Sequence, residues 1–154
     1  MSSGRAHDES PLELFTTLAR TALFLDALQR DCLGRHELGF VEFSVLRLLL
    51  AAPGRSLAPT ALAERVVRTS GAVTKLIDRL EAVDYVERGP DPEDRRSVRV
   101  KLTASGARAA NAAARSYTAG RKRVLSRLSA NEAAQAKASL RRLLEVLEQD
   151  RSER

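Results

Sequence analysis

Cysteine and long apolar runs are scarce in this chain of 154 residues. Its single cysteine, Cys32, cannot form a disulfide within the chain, which is typical of proteins from a reducing compartment. The apolar runs fall well short of the roughly 18 residues that a membrane span requires. Residues 1–10 are polar and do not resemble a signal peptide. These absences predict a cytoplasmic protein that has no membrane partner.

Aromatic residues are also rare. They make up 4% of the chain and tryptophan is absent, although 44% of the residues are hydrophobic. Alanine and leucine must therefore fill most of the core, and both residues favour helices. The length fits one compact domain or one protomer of an intertwined oligomer.

No recognisable catalytic or metal-binding grouping occurs in the sequence. There is no glycine-rich phosphate loop and no nucleophile with an identifiable base, and His7 and His36 are isolated. The acidic neighbours Glu93 and Asp94 lie in a loop that should be solvated, where the pKa of a carboxylate is hard to tune. We predict no enzymatic activity, no metal ion and no cofactor.

Acidic residues are outnumbered by basic ones, and the formal net charge is +6 at pH 7. A basic chain is expected to bind polyanions, although a basic composition alone is weak evidence for this. The positions of the arginines carry more weight, and several of them lie within or beside residues 69–103.

Residues 69–83 are predicted to form a short amphipathic helix. Apolar residues recur there at intervals of three and four, which places them on one helix face. The opposite face is small and hydrogen-bonding, so it can approach another surface closely. Thr69 or Ser70 can cap the first turn. The predicted apolar face consists of Val73, Leu76, Ile77, Leu80 and Val83.

A β-hairpin is predicted to follow this helix. Its first strand begins at Tyr85 and Val86, and residues 89–97 form a turn-rich loop with two prolines. In the return strand apolar residues alternate with polar or basic ones, which predicts one buried face and one positively charged face. The predicted buried positions are Val98, Val100 and Leu102.

The tip of the hairpin carries Arg95 and Arg96, where a hairpin projects furthest from the core. Asp91, Glu93 and Asp94 flank them, and a carboxylate beside a guanidinium can fix its orientation. A polar helix face followed by a basic hairpin is the layout of a winged helix-turn-helix. Such a helix suits the major groove of DNA, and such a tip suits a minor groove or phosphates.

Residues 94–103, DRRSVRVKLT, fit the wing signature D-x-R-x-x-x-x-x-L-T of MarR-type transcriptional regulators. Asp94 matches the signature aspartate and Arg96 the signature arginine. The preceding SGAVTKLIDRLEAVDYVER resembles the recognition helix and first wing strand of that family, and the resemblance extends over residues 12–148. It implies a mainly α (α+β) fold, a winged helix-turn-helix with a small β-hairpin wing and long N- and C-terminal dimerisation helices.

This resemblance also implies how the chain is divided. Residues 1–154 would form one protomer, with the DNA-binding winged helix-turn-helix in residues 40–103. Residues 11–34 and 104–150 would form the dimerisation helices. These terminal helices would leave leucine and alanine surfaces exposed in a single chain, so we expect them to pair with a second subunit.

Several helix ends can be predicted from local signals. Gly34 is expected to end the first helix, and Pro53, which precedes a glycine, the second. Thr103 is expected to cap the helix that follows the wing. Ser129 and Glu132 are spaced as a capping box for the last helix.

The predicted DNA contacts come from the recognition helix, its flanks and the wing tip. Hydroxyl and amine groups can bind base edges or nearby phosphates, and an arginine at the tip is expected to enter a minor groove. Asp78 is expected to orient a neighbouring arginine rather than touch phosphate. The predicted DNA-binding residues are Arg65, Arg68, Thr69, Ser70, Gly71, Thr74, Lys75, Arg79, Asp94, Arg95 and Arg96.

The functional prediction is a homodimeric, sequence-specific transcriptional regulator that binds double-stranded DNA, and a repressor is the commoner outcome in the family. The resemblance implies a palindromic operator and release by a small aromatic or phenolic effector. The predicted effector pocket is lined by Ala22, Leu25, Phe40 and Phe43.

Two alternatives remain open at this point. A winged helix can serve as a protein-interaction module, in which case the basic wing is a solvated face. A thiol switch at Cys32 is the other alternative, although a small apolar role in the helix is favoured for this residue.

Overall fold

The computed structural model describes residues 11–66, 70–91 and 96–153. As predicted, the fold is mainly helical with a small antiparallel sheet and matches a winged helix-turn-helix. The elements, in chain order, are α1 (Pro11–Leu33), a 3₁₀ turn (Gly34–His36), α2 (Phe40–Ala51), a second 3₁₀ turn (Pro53–Arg55), β1 (Ser56–Leu57), α3 (Pro59–Val66), α4 (Ser70–Ala82), β2 (Val86–Pro90), β3 (Val98–Leu102), α5 (Ala104–Leu125) and α6 (Ala130–Ser152).

The predicted helix ends are confirmed where local signals defined them. α1 ends just before Gly34, and α2 ends two residues before Pro53. The backbone N–H of Gly106 donates to Thr103 Oγ1 at 2.9 Å, so Thr103 caps α5. At α6, the Glu132 N–H donates to Ser129 Oγ at 3.2 Å, and the Ser129 N–H donates to Glu132 Oε2 at 2.8 Å. This reciprocal pair is the predicted capping box.

The capping box makes part of the stability of α6 dependent on pH. Hydrogen bonds from the Ser129 side chain and then its backbone lower the pKa of Glu132 below its ordinary value. The folded carboxyl therefore binds its proton less tightly than the unfolded one. Its stabilising contribution is complete above the unfolded pKa near 4.5 and is lost as the pH falls through the lower, folded pKa.

We therefore expect Glu132→Gln to lower the thermal midpoint at neutral pH, and to lower it less at an acidic pH below the unfolded pKa of about 4.5. Circular dichroism melts of both proteins at the two pH values test this. Ser129→Ala also removes the hydrogen bond from the Glu132 N–H to Ser129 Oγ, which does not depend on the charge of Glu132, so its midpoint should stay below that of the native protein at both pH values. A Glu132→Gln midpoint difference that is equal at both pH values would contradict the prediction.

The sheet has the strand order β1–β3–β2, with both pairings antiparallel. Leu57 lies opposite Val100, and Val86 lies opposite Leu102, so these residues join one buried face. β1 was not predicted because two residues are too short to show an alternating pattern. β2 extends through Pro90, which the sequence had suggested to be loop. Proline is tolerated there because β2 is an edge strand.

Two predicted core positions are wrong. Val83 is 55% exposed because α4 ends at Ala82, and the following turn, with Asp84 at a φ of 56°, leads the chain away. Val98 is 47% exposed because it lies at the outer end of the hairpin, paired with Pro90 beyond the core. The other six predicted core positions of the helix and the hairpin are buried, and so is Val86.

The chain divides into two compact units, one up to Tyr117 and one from Thr118 onward. In the first unit, large aliphatic side chains of α2, α3 and α4 and of the sheet form the core. The first part of α5 contributes the buried alanines Ala107, Ala110 and Ala113, whose small side chains allow close packing. The second unit contains the end of α5 and all of α6, whose side chains are mostly exposed.

Candidate nucleic-acid interface

α4 presents two chemically different faces. Its inner face is confirmed as apolar, because Val73, Leu76, Ile77 and Leu80 are all buried. Its outer face exposes Gly71, Thr74 and Lys75. The buried residues hold the helix on the core, so the polar residues face outward without having to stabilise the fold.

The cations near this outer face differ in how far their charge is compensated. Arg79 donates from Nη2 to Glu42 Oε1 at 2.8 Å, so a carboxylate of α2 already binds it. For Lys75, no carboxylate within ion-pair distance is found in the described parts of the chain. Lys75 is therefore the cation of α4 whose charge is best available to an external anion. Arg65 is also exposed, at the end of α3.

Arg88 of β2 connects the hairpin to α4, and it was missed as a site residue. Its Nη2 donates to Asp78 Oδ1 at 2.5 Å, and its Nη1 forms an ion pair with Glu81. The prediction that Asp78 orients a neighbouring arginine is thus confirmed. Two carboxylates three residues apart on one helix face were the available signal, but the sequence did not indicate which arginine would reach them.

The ion pairs also act on the ionisation of Arg88. Partial burial by itself lowers the pKa of Arg88, but the hydrogen bonds and charges of Asp78 and Glu81 outweigh it and raise the pKa above its ordinary value. The guanidinium therefore keeps its charge throughout the accessible pH range, and so does the connection to α4.

The outer face of the hairpin is less positive than predicted, because its cations are paired. The Arg99 guanidinium donates to Ser56 Oγ at 3.0 Å, to the Ser56 carbonyl at 2.8 Å and to Asp91 Oδ2 at 3.1 Å. Lys101 Nζ lies 3.4 Å from Glu87 Oε1, directly across the strand pair. Arg99 thus joins β1, β3 and the start of the wing loop, a structural role that strand alternation could not indicate.

Only part of the predicted DNA-binding set can be placed. Arg96 is exposed next to the start of β3, and Ser70 is the first residue of α4. The structure brings Gly71, Thr74 and Lys75 together on one surface. Those that lie outside the described residues are Arg68, Thr69, Asp94 and Arg95.

The residues of the predicted effector pocket lie in different surroundings. Phe43 is buried, and its ring packs edge-on against Tyr117 with centroids 5.7 Å apart. Phe40 packs on the same Tyr117 ring at 5.9 Å and remains partly exposed. Ala22 and Leu25 are exposed on α1. The rare aromatic residues therefore form a cluster that composition did not indicate, and the pocket itself stays a prediction.

A cavity of about 290 Å³ lies beside this aromatic cluster, between the start of α2 and α4. Phe40 and Leu76 provide apolar walls, and Arg79 and Glu42 provide a cation and its carboxylate partner.

Cys32 lies at the C-terminal end of α1, and its residue surface is 6% exposed. A buried thiol is poorly accessible to peroxide, so its surroundings favour a packing role over the thiol switch. The described segments contain no group of three or more metal-ligating side chains. Among the described helices, none is long and apolar enough to cross a membrane.

The fold and this surface define a winged helix-turn-helix protein. A sequence model of the MarR family matches residues 36–97. The transcriptional regulator PecS of Dickeya dadantii is 28% identical over 138 residues, which cover 88% of this chain and 82% of PecS. The transcriptional repressor YetL of Bacillus subtilis is 31% identical over 99 residues, which cover 64% of this chain and 59% of YetL.

A solved structure gives the same assignment. A mutant MarR of Escherichia coli, complexed with operator DNA, is 26% identical and superposes with a TM-score of 0.79, over 88% of this chain and 96% of that one. These matches support a MarR-family winged helix-turn-helix transcriptional regulator, and the matched proteins are regulators rather than enzymes.

Proposed function

We propose that this protein is a homodimeric repressor that binds a palindromic DNA operator. The observation that carries the proposal is the outer face of α4, where Thr74 and Lys75 are exposed above four buried apolar residues. Hydroxyl and amine groups on such a face can bind base edges in a major groove. The MarR structure that resembles this fold was solved with operator DNA.

Dimerisation would supply a second copy of α4 for DNA binding. α1 exposes large apolar side chains along most of its length, including Leu12, Leu23 and Phe24, and α6 exposes Leu140 and Leu144. Such surfaces are unfavourable in water, so a second copy of the chain is the partner that they fit. In the dimer the two α4 helices would reach half-sites about one helical turn apart, roughly 34–36 Å.

Repression follows if the operator overlaps a promoter, because the bound dimer excludes polymerase. YetL, a relative, is named a repressor. Action on the chromosome would place the protein in the cytoplasm. Regulation by a small aromatic acid is supported by the cavity beside Phe40, where a ligand carboxylate could replace Glu42 as the partner of Arg79. Such an exchange would remove the ion pair that connects α4 to α2.

A titration of labelled duplexes tests the DNA-binding proposal. One duplex carries the inverted repeat from the promoter next to the gene, and the other is a scrambled duplex of equal length and composition. We expect binding to the inverted repeat to be at least about 10³-fold tighter at physiological salt, with a stoichiometry of two chains per duplex. Equal affinity for both duplexes would favour the protein-interaction module instead.

A further inference from the structure

We propose that Arg88 is a positioning residue that holds the wing at a fixed angle to the recognition helix α4. This inference rests on the proposed function, because the fixed angle matters for a protein that must place a helix and a wing on one duplex. Arg88 itself would not touch DNA.

The contacts of Arg88 all point from the wing to α4. Its guanidinium binds Asp78 at 2.5 Å and also pairs with Glu81, and its Nη2 lies 3.5 Å from the Thr74 carbonyl. Its backbone N–H donates to Glu81 Oε1 at 3.1 Å. Both the main chain and the side chain of Arg88 are therefore bound to the same helix.

The location of Arg88 along β2 makes this connection useful. The turn between α4 and β2 is already closed by the Tyr85 N–H, which donates to the Leu80 carbonyl at 2.9 Å. That hydrogen bond attaches the start of the hairpin to the C-terminal end of α4. Arg88 binds α4 further along the strand, two residues before β2 ends at Pro90. Two separated attachment points define an angle, whereas one does not.

Charge balance separates this role from a direct phosphate contact. Asp78 and Glu81 lie on the exposed side of α4, and both form ion pairs with Arg88. Arg88 compensates both, with 30% of its side chain exposed. Its charge is thus used within the protein, unlike that of Lys75, which has no carboxylate partner in the described parts of the chain.

The test compares Arg88→Met with Lys75→Met, which removes one positive charge from α4 itself. We expect Arg88→Met to reduce the preference for operator over scrambled duplex by about tenfold and to leave the slope of log K against log salt unchanged. Lys75→Met should lower that slope by about one. Arg88→Lys should restore part of the preference, because an ammonium can bind one of the two carboxylates.

A double-mutant cycle shows whether Arg88 acts through its carboxylates. In a protein that carries Asp78→Asn and Glu81→Gln, the further change Arg88→Met should cause no additional loss of preference. Circular dichroism melts confirm that each variant is folded. A slope that falls by about one in Arg88→Met would identify a direct phosphate contact and overturn the proposal.

Amide hydrogen exchange of free protein separates this proposal from the proposed function. We expect Arg88→Met, but not Lys75→Met, to speed exchange in β2 and β3 severalfold, because the wing is no longer held to α4. If the native protein did not prefer its operator, the proposed function would fail while this result still stood. Unchanged exchange in Arg88→Met would overturn the positioning role whatever the DNA result.

Discussion

Leu144→Glu is expected to convert the proposed dimer into a monomer and to weaken operator binding by roughly 100-fold or more. Leu144 is exposed on the same face of α6 as Leu140 and Leu147. A glutamate there would have to be buried without a partner in the proposed interface, which disfavours association. In a dimer, binding of one subunit to DNA holds the other subunit close to the second half-site. Separate monomers lose this high effective concentration, so each half-site binds more weakly.

Sedimentation equilibrium and duplex titration measure the two effects. Ala138→Glu is the matched control, because Ala138 is exposed on the side of α6 that faces away from these leucines. It adds the same charge to the same helix and should leave both the dimer and the affinity unchanged. A Leu144→Glu protein that is folded and still dimeric at the same concentration would show that this face of α6 is not the interface.

Gly106→Ala is expected to destabilise the protein by about 1–3 kcal/mol, the usual range for overpacking. A Cβ at residue 106 would lie 2.1 Å from the Tyr85 carbonyl oxygen and 2.8 Å from Leu102 Cδ1. The Tyr85 carbonyl cannot easily move, because it accepts the Thr103 N–H at 3.1 Å. The added methyl group therefore pushes α5 away from the turn that leads into the wing.

Urea unfolding followed by circular dichroism measures this loss, which should appear as a lower midpoint with an unchanged m-value. Gly34→Ala is the matched control, because a Cβ at residue 34 meets no atom within 4 Å. Its midpoint should stay close to that of the native protein. Equal midpoints for Gly106→Ala and Gly34→Ala would mean that the close approach at Tyr85 does not constrain the fold.

Much of the candidate site could be predicted from local patterns. The spacing of Val73, Leu76, Ile77 and Leu80 identified the buried face of α4, and hence the outer face that carries Lys75. Prediction failed at the ends of these patterns. Val83 and Val98 continue the apolar spacing, yet both are exposed, because the helix ends and the hairpin extends beyond the core. Periodicity predicts the face of a helix or strand on which a side chain lies. It does not predict where the core that covers this face ends.

The partners of the charged residues could not be predicted in the same way. Arg79, Arg88 and Arg99 look alike in the sequence. In the structure each is bound to a different element, through Glu42 of α2, Asp78 and Glu81 of α4, and Ser56 and Asp91 beside the sheet. A guanidinium on a long side chain can reach several carboxylates, so its choice depends on how the elements pack. This choice decides which cations remain available to DNA.

Local sequence patterns specify the helices, their caps, the two faces of α4 and the wing signature, because these depend on residues a few positions apart. Other features depend on contacts between distant elements: the short strand β1, the aromatic cluster around Tyr117, and the arginine pairs that connect α4 to α2 and to the wing. Each of these joins residues far apart in the chain. These contacts form only after burial of the apolar core has brought the elements together. A local sequence pattern therefore cannot predict them.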